Sequence, residues 1–437
     1  MSAPHDRYHA LDSLRGFAMF LGVVLHAGLS FGTQPPVFWP VRDNDPTLLA
    51  DVCLFAVHTF RMQTFFLLAG FFGCLLYKRY GLGGMVRHRI LRVALPFVLS
   101  VMLVTPTVMG AFLYAELENA RAQGVPETAS PVRRFAADLI AANPEQSSVA
   151  IVADRFVSGA YVSLLPLGHL WFLYYLLYFY AAVVLLAPLL GRLTGTPVLA
   201  AIDDAFQRLI EGRWRVLVPA LATIPVLLTM KTWVSDTPLR WQPEGQILAY
   251  YFGFFAFGWM LYRHRALVPT FGRGWRFNLT IANVLVLPIG LVALATGIEA
   301  EKADASSAFV RRFAAFAAQA VYTWLMIVGL WGAFLHYFSL SRGWARYLAD
   351  ASYWCYLASI TPIVLLQFWV KDWPLPGLVK WGLVSAAATS VLLLSYEWFV
   401  RYTVIGTVLN GRKTRARAEA PPASVATVET REESSPA

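Results

Sequence analysis

Apolar residues gather into ten stretches, each long enough or nearly so to cross ~30 Å of hydrocarbon. They fall at about 11–31, 54–76, 93–114, 161–190, 215–233, 247–262, 277–297, 312–336, 352–370 and 378–402. This pattern predicts an all-α polytopic integral membrane protein with about ten transmembrane helices. The fourth stretch has length to spare outside the bilayer. The sixth is short as drawn and is expected to extend upstream. The long connection 115–160 holds one weak amphipathic stretch, Pro131 to Ala142, which fits a cap over a site and a linker equally well. Residues 412–437, rich in Ala, Pro, Ser and Glu with no apolar period, are expected to be a disordered cytoplasmic tail. The whole of 1–411 then forms one transmembrane domain. No internal repeat of the kind that marks many transporters is visible.

Composition agrees with this pattern. The chain is 57% hydrophobic and 14% charged, with mean hydropathy +0.54, against about 25% charge in soluble proteins. The net charge of +10 is explained by basic connections, and no nucleic-acid fold accompanies it. Residues 1–10 lack the features of a signal peptide, so the first stretch is expected to be retained. Cys53, Cys74 and Cys355 are scattered and suggest neither a disulfide framework nor a zinc site.

Charge also gives direction. The connection after the second stretch carries Lys78, Arg79, Arg87, Arg89 and Arg92 without an acid. Those after the fourth and sixth stretches, and the start of the tail, are similarly rich in arginine. The alternate connections mix both signs. Lys/Arg bias places the basic connections in the cytoplasm, so both termini are expected there.

Against this background the first stretch is unusual. It contains Arg15 and His26, eleven positions apart. Eleven helical steps return to nearly the same face, ~16 Å along the axis. Intramembrane ionisable residues are costly and mark functional sites by default. Orientation puts Arg15 towards the cytoplasm and His26 towards the outside. His58 and Arg61 in the second stretch, and His169 in the fourth, are expected at the same depth as His26. One intramembrane histidine is as easily a helix contact; four ionisable groups at one level suggest chemistry, and an imidazole can act as a general base at neutral pH. At the other end, Arg87, Arg89 and Arg92 stand where the third helix begins. Arg89 and Arg92 share a face and suit phosphate, although positive-inside topology alone explains them too. Glu397 lies one turn from Arg401 and fits either a structural ion pair or a partner for Arg15; Asp12 can itself neutralise Arg15. Hydrolase elbows, zincin helices and P-loops have no support.

These motifs together resemble membrane acyltransferase family 3. The likeness rests on Arg15-x10-His26 in LDSLRGFAMFLGVVLHA, on FRMQTFFLLAGFF, on the Arg89/Arg92 pair, and on GHLWFLYYLL, YFGFFAFGWML, SYWCYL and SYEWFVRYTVIGTVLNG. It runs in order over about residues 8–411. RMQTFFLLAGFF and SYEWFVRY look most like the branch that succinylates osmoregulated periplasmic glucans. The resemblance implies a bacterial inner-membrane enzyme that moves an acyl group from cytoplasmic acyl-CoA to a hydroxyl of a periplasmic glycan. Succinyl-CoA or acetyl-CoA would be the co-substrate, with no bound cofactor, no metal and no nucleic-acid partner. It implies His26 as catalytic base with Arg15 beside it in the signature. It also implies Arg89, Arg92 and the neighbouring Arg87 as the acyl-CoA site, and Glu397 as a further catalytic residue. His58, Arg61 and His169 fall on the acceptor and oxyanion side. One departure stands out: many relatives carry a histidine after SYxxYL, where this chain continues Ala358-Ser359-Ile360-Thr361-Pro362. Two other functions fit the same residues: acetylation of another surface polysaccharide, and non-enzymatic transport or flipping of a lipid-linked or anionic solute.

Overall fold

A computed structural model describes residues 8–34, 36–127, 129–160, 166–303, 305–340 and 342–411. The predicted tail 412–437 lies outside them. Among the described residues all regular structure is helical. The first helices are α1 (His9–Gly28), α2 (Leu48–Arg89), α3 (Leu95–Gln123), α4 (Pro131–Ala142), α5 (Ser148–Val157) and α6 (Trp171–Arg192). Next come α7 (Pro197–Glu211), α8 (Leu217–Leu227), α9 (Gly245–Arg263), α10 (Val268–Phe271), α11 (Trp275–Ile281) and α12 (Leu287–Ala303). The last are α13 (Ala305–Tyr337), α14 (Gly343–Ala358), α15 (Ile360–Val370), α16 (Gly377–Ser395) and α17 (Val404–Asn410).

Among the described residues, six helical runs are long and apolar enough to cross a membrane, and a seventh if the bent pair α14–α15 is counted as one span. One of the six, Leu48–Gln123, is 76 residues long and contains two of the predicted stretches. Gly81 interrupts it with φ of 67°, a left-handed conformation that glycine adopts at little cost. The fifth predicted stretch yields only the 11-residue α8. The sixth becomes α9 and does start upstream, at Gly245.

The bend between α14 and α15 is 69°, and its cause is local. Pro362 has no N–H, so the carbonyl of Ala358 loses its helical donor. The break falls at Ser359, which lines the cavity described below.

α1 sits at the centre, packed against α2, α13, α14, α15 and α16. Its buried positions include Leu11, Leu14, Ala18, Val23, Leu25 and Ala27. A second close pairing joins α2 to α9. A Cβ added at Gly70 would lie 1.9 Å from the Phe255 carbonyl oxygen, and one at Gly258 would lie 1.8 Å from that of Leu67. Small residues let apolar helices approach backbone to backbone. Aromatic rings fill the seam beside this contact: Phe66 lies 4.8 Å from Tyr251 and 4.9 Å from Phe172, centroid to centroid. Gly258→Ala is therefore expected to force the helices apart at a cost of about 1–3 kcal/mol or more, read as a lower melting temperature in detergent. An unchanged melting temperature would show that the backbones can separate freely.

At the Arg263 end of α9, Asp203 of α7 accepts hydrogen bonds from Arg263 at 2.6 Å and His264 at 3.0 Å. Burial alone would raise this carboxyl; the two bonds overcome it and hold the group below its ordinary value. They tie the amphipathic α7 to the end of a core helix.

Candidate active site

A cavity of about 1170 Å³ lies among α1, α2, α3, the turn before α6, the connection 231–244 and the end of α14. His26, His58, Arg61 and His169 all line it. The structure thus brings together the four groups expected at one depth. Pro131, Val132 and Phe135 of α4, and Val152, Arg155 and Phe156 of α5, line the same space. The 115–160 connection is a cap on the cavity wall. Its helices pack on α3 through a small core of their own, formed by Leu113, Leu117, Ala136, Leu139 and Ile151.

Each polar group is held differently. His58 Nε2 lies 2.9 Å from the Ser235 carbonyl, and His169 Nε2 lies 3.0 Å from that of Leu357. A carbonyl only accepts, so both rings carry their proton on Nε2 when neutral. The bond from His169 also occupies a carbonyl beside the break at Ser359. Tyr356 Oη then donates to the His169 carbonyl at 2.7 Å, locking α14 to the turn before α6.

His26 is freer. Its Nδ1 is buried without a hydrogen-bond partner. Its ring stacks on Trp39, with an interplanar angle of 13° and centroids 6.1 Å apart. The residue lines the cavity, and no hydrogen bond of Nδ1 ties its ring to the protein.

Arg61 approaches the same face of α1. A Cβ at Gly22 would fall 2.0 Å from its Nη1, and Gly22 precedes His26 by one turn. Its Nε is buried without a partner. The missing side chain at Gly22 is what lets the guanidinium lie against α1. Gly22→Ala meets only the far end of a flexible side chain, so it is expected to leave stability nearly intact. Displacing Arg61 by an ångström or more is expected to lower activity by about tenfold or more. Equal activity in Gly22→Ala and wild type would show that the position of Arg61 is immaterial.

The second constellation is near the other end of α1. Arg15 pairs with Asp12 at 3.4 Å. Arg89 stacks over the Tyr180 ring at 4.5 Å, and its Nε and Nη2 are buried without hydrogen-bond partners. Arg92 is committed to structure: its Nη1 donates to the carbonyls of Thr407 and Val408 at 2.8 Å each, capping α17. Arg87 is exposed. Tyr353 Oη donates to the Arg92 carbonyl at 3.0 Å and so ties α14 to this end. Glu397 binds Arg401 at 2.8 and 3.0 Å; its partner is Arg401, while that of Arg15 is Asp12.

Tyr353 and Tyr356 lie three residues apart on α14. The first bonds the Arg92 carbonyl and the second lines the cavity. About one helical turn, ~5 Å, therefore separates the two constellations on this wall. Neither tyrosine stands out in the sequence beyond the SYWCYL motif. Trp39, in the connection after α1, gives no signal at all from periodicity.

The long apolar helices, with a cavity among them that holds histidines and an arginine, mark a multi-pass membrane protein. A family model described as an acyltransferase domain matches residues 8–397. The chain belongs to this acyltransferase family. It is similar to glucans biosynthesis protein C of Escherichia coli strain SMS-3-5 / SECEC, with 30% identity over 123 residues, which is 28% of this chain and 30% of that protein. It is also similar to glucans biosynthesis protein C of Shigella dysenteriae serotype 1, with 33% identity over 102 residues, 23% of this chain and 26% of that one. The matched stretches thus span less than a third of these relatives. No solved structure matches the chain.

Proposed function

We propose that this protein is an inner-membrane O-acyltransferase that takes an acyl group from cytoplasmic acyl-CoA and places it on a hydroxyl of a periplasmic glycan. The observation that carries this reading is the pairing of two sites along α1. An arginine-rich end holds free guanidinium nitrogens on Arg89, and a large cavity beyond it holds His26. Guanidinium groups suit the phosphates of a CoA head. Arg89, with Arg15 near it, is better placed for that role than Arg92, whose Nη1 caps α17, and Arg87 stands at the exposed rim. Glu397 supports this end by holding Arg401.

In the proposed reaction a glycan hydroxyl gives its proton to His26 as its oxygen attacks the thioester carbonyl. The carbon–sulfur bond breaks, the sulfur leaves as the thiol of CoA after taking a proton, and an ester remains on the glycan. Arg61 is the favoured oxyanion donor, because the Nε2 protons of His58 and His169 are already given to carbonyls. Only the acyl arm needs to pass the short wall at Tyr353 and Tyr356, so the charged head never crosses. The likeness to proteins named for glucan biosynthesis supports a glucan acceptor, and the resemblance of RMQTFFLLAGFF and SYEWFVRY, in the second and tenth apolar stretches, supports succinyl as the group moved. The test is mass spectrometry of periplasmic glycans from cells with and without the protein. The expected result is one acyl mass per modified site, present only with the protein. Identical glycan masses in both would exclude this acceptor and favour a transporter or another polysaccharide.

A further inference from the structure

Gln367 lies in α15 at 0% exposure and is not part of the cavity lining. Every polar atom of its side chain is used. Nε2 donates to the carbonyls of His26 and Ala27 at 2.9 Å each. Oε1 accepts from Trp39 Nε1 at 3.0 Å. The amide cannot be turned round: the flipped form would set NH₂ against the indole N–H and oxygen against two carbonyls.

The bonds fall at a weak point of α1. The last four carbonyls of a helix have no helical donor, and α1 ends at Gly28. His26 and Ala27 are among those last four: the His26 carbonyl receives only the Leu29 N–H, at 3.3 Å, and Gln367 gives both carbonyls a shorter bond. One turn back, Trp381 Nε1 adds a bond to the Val24 carbonyl at 3.0 Å. The other end of the Gln367 amide, together with Ser30 Oγ at 3.1 Å, holds the indole N–H of Trp39, the ring stacked on His26. One buried side chain thus holds both the backbone beneath the imidazole and the plane beside it. An apolar residue would fill the same space among Ile363, Val364 and Val370 without needing hydrogen bonds, and a buried amide is tolerated only when it is bonded.

We propose that Gln367 is a positioning residue for His26, setting the imidazole's height and plane in the cavity wall. The ninth membrane stretch then acts on the site through a glutamine on α15, not through a histidine on α14. This inference rests on the reading of His26 as the base.

The test compares wild type, His26→Ala, Gln367→Leu and Gln367→Glu by release of CoA thiol from succinyl-CoA with purified glucan. Gln367→Leu removes the amide from both the α1 carbonyls and Trp39, leaving the indole only Ser30, and is expected to lower kcat at least about tenfold with KM for succinyl-CoA within about twofold. Gln367→Glu separates positioning from folding. Protonated, it keeps one donor for the carbonyls and the acceptor for Trp39; ionised, it sets a charge against two carbonyls. Burial favours the protonated form, so it predominates as pH falls. The ratio of Gln367→Glu to wild-type kcat is therefore expected to rise several-fold from pH 8 to pH 6, while the Gln367→Leu ratio stays flat. A flat ratio for Gln367→Glu, or wild-type kcat in Gln367→Leu, overturns the proposal while His26→Ala remains inactive. Should His26→Ala match wild type, the reading of the base itself fails and the positioning role falls with it.

Discussion

Replacing His26 by alanine is expected to reduce acyl transfer by about 10²–10⁴-fold, the range general-base catalysis supplies. The loss should appear in kcat, with binding of acyl-CoA preserved, because the arginine-rich end of α1 lies away from the cavity. Folding should survive as well. The His26 ring has an unpartnered Nδ1, so truncation breaks no hydrogen bond of that atom. The Gln367 contacts are to backbone carbonyls, which alanine retains. A variant that elutes as wild type in detergent and releases no thiol agrees with this account. Full thiol release from a folded His26→Ala protein would remove His26 from the chemistry.

The largest expected effect on stability is at Lys380. Its ammonium lies 2.8 Å from Asp43 Oδ1, and the two side chains are 1% and 0% exposed. Lys380 also donates to the carbonyls of Lys371 and Trp373, so all three of its protons are engaged. Lys380→Met leaves the Asp43 carboxylate buried without its counter-ion. Breaking such a pair on one side costs about 3–5 kcal/mol. The double variant Asp43→Asn with Lys380→Met is expected to recover most of that, because no bare charge remains. Thermal unfolding of the three variants in the same detergent reads the difference. Equal melting temperatures for wild type and Lys380→Met would contradict a desolvated pair. The effect extends to the site. Asp43 anchors the connection that carries Trp39, and Asp45 Oδ2 accepts from the Gly377 N–H at 2.8 Å beside it. Loosening that anchor is expected to lower activity at temperatures where the protein is still folded.

How far the sequence carries can be judged from particular residues. Helix existence is legible because long apolar runs leave no other way to satisfy the backbone in lipid. The amphipathic stretch Pro131 to Ala142 becomes α4 with the same bounds, since Ser130 caps it and Pro131 suits a first helical position. Span length is less legible. The apolar run 215–233 ends in turns after α8, where Asp236 gathers the N–H groups of Lys231 and Thr232. Local polar chemistry overrides hydropathy there. The depth of His26, His58, Arg61 and His169 follows from counting residues, and the structure gathers them on one cavity. Their partners do not follow from counting. Ser235 and Leu357 contribute backbone carbonyls, which carry no side-chain signature. Gln367 stands 341 positions from His26 along the chain, and a single amide in an apolar helix gives no hint of which carbonyls it caps. Glu397 could be placed near Arg401 from spacing alone, and that is where it bonds. Arg92 looked like Arg89 in sequence; only the structure shows that one caps α17 while the other keeps free nitrogens.

The central claim is that the acyl group travels along α1 from the Arg89 end to the His26 cavity while CoA stays behind. Sealed proteoliposomes with the protein in one orientation test it most directly. Succinyl-CoA is placed only on the side of Arg89, glucan only on the side of the cavity mouth, and the glucan is weighed by mass spectrometry. The account predicts succinylated glucan opposite the donor, free CoA thiol confined to the donor side, and neither product with His26→Ala. Transfer only when donor and acceptor share one compartment would contradict it.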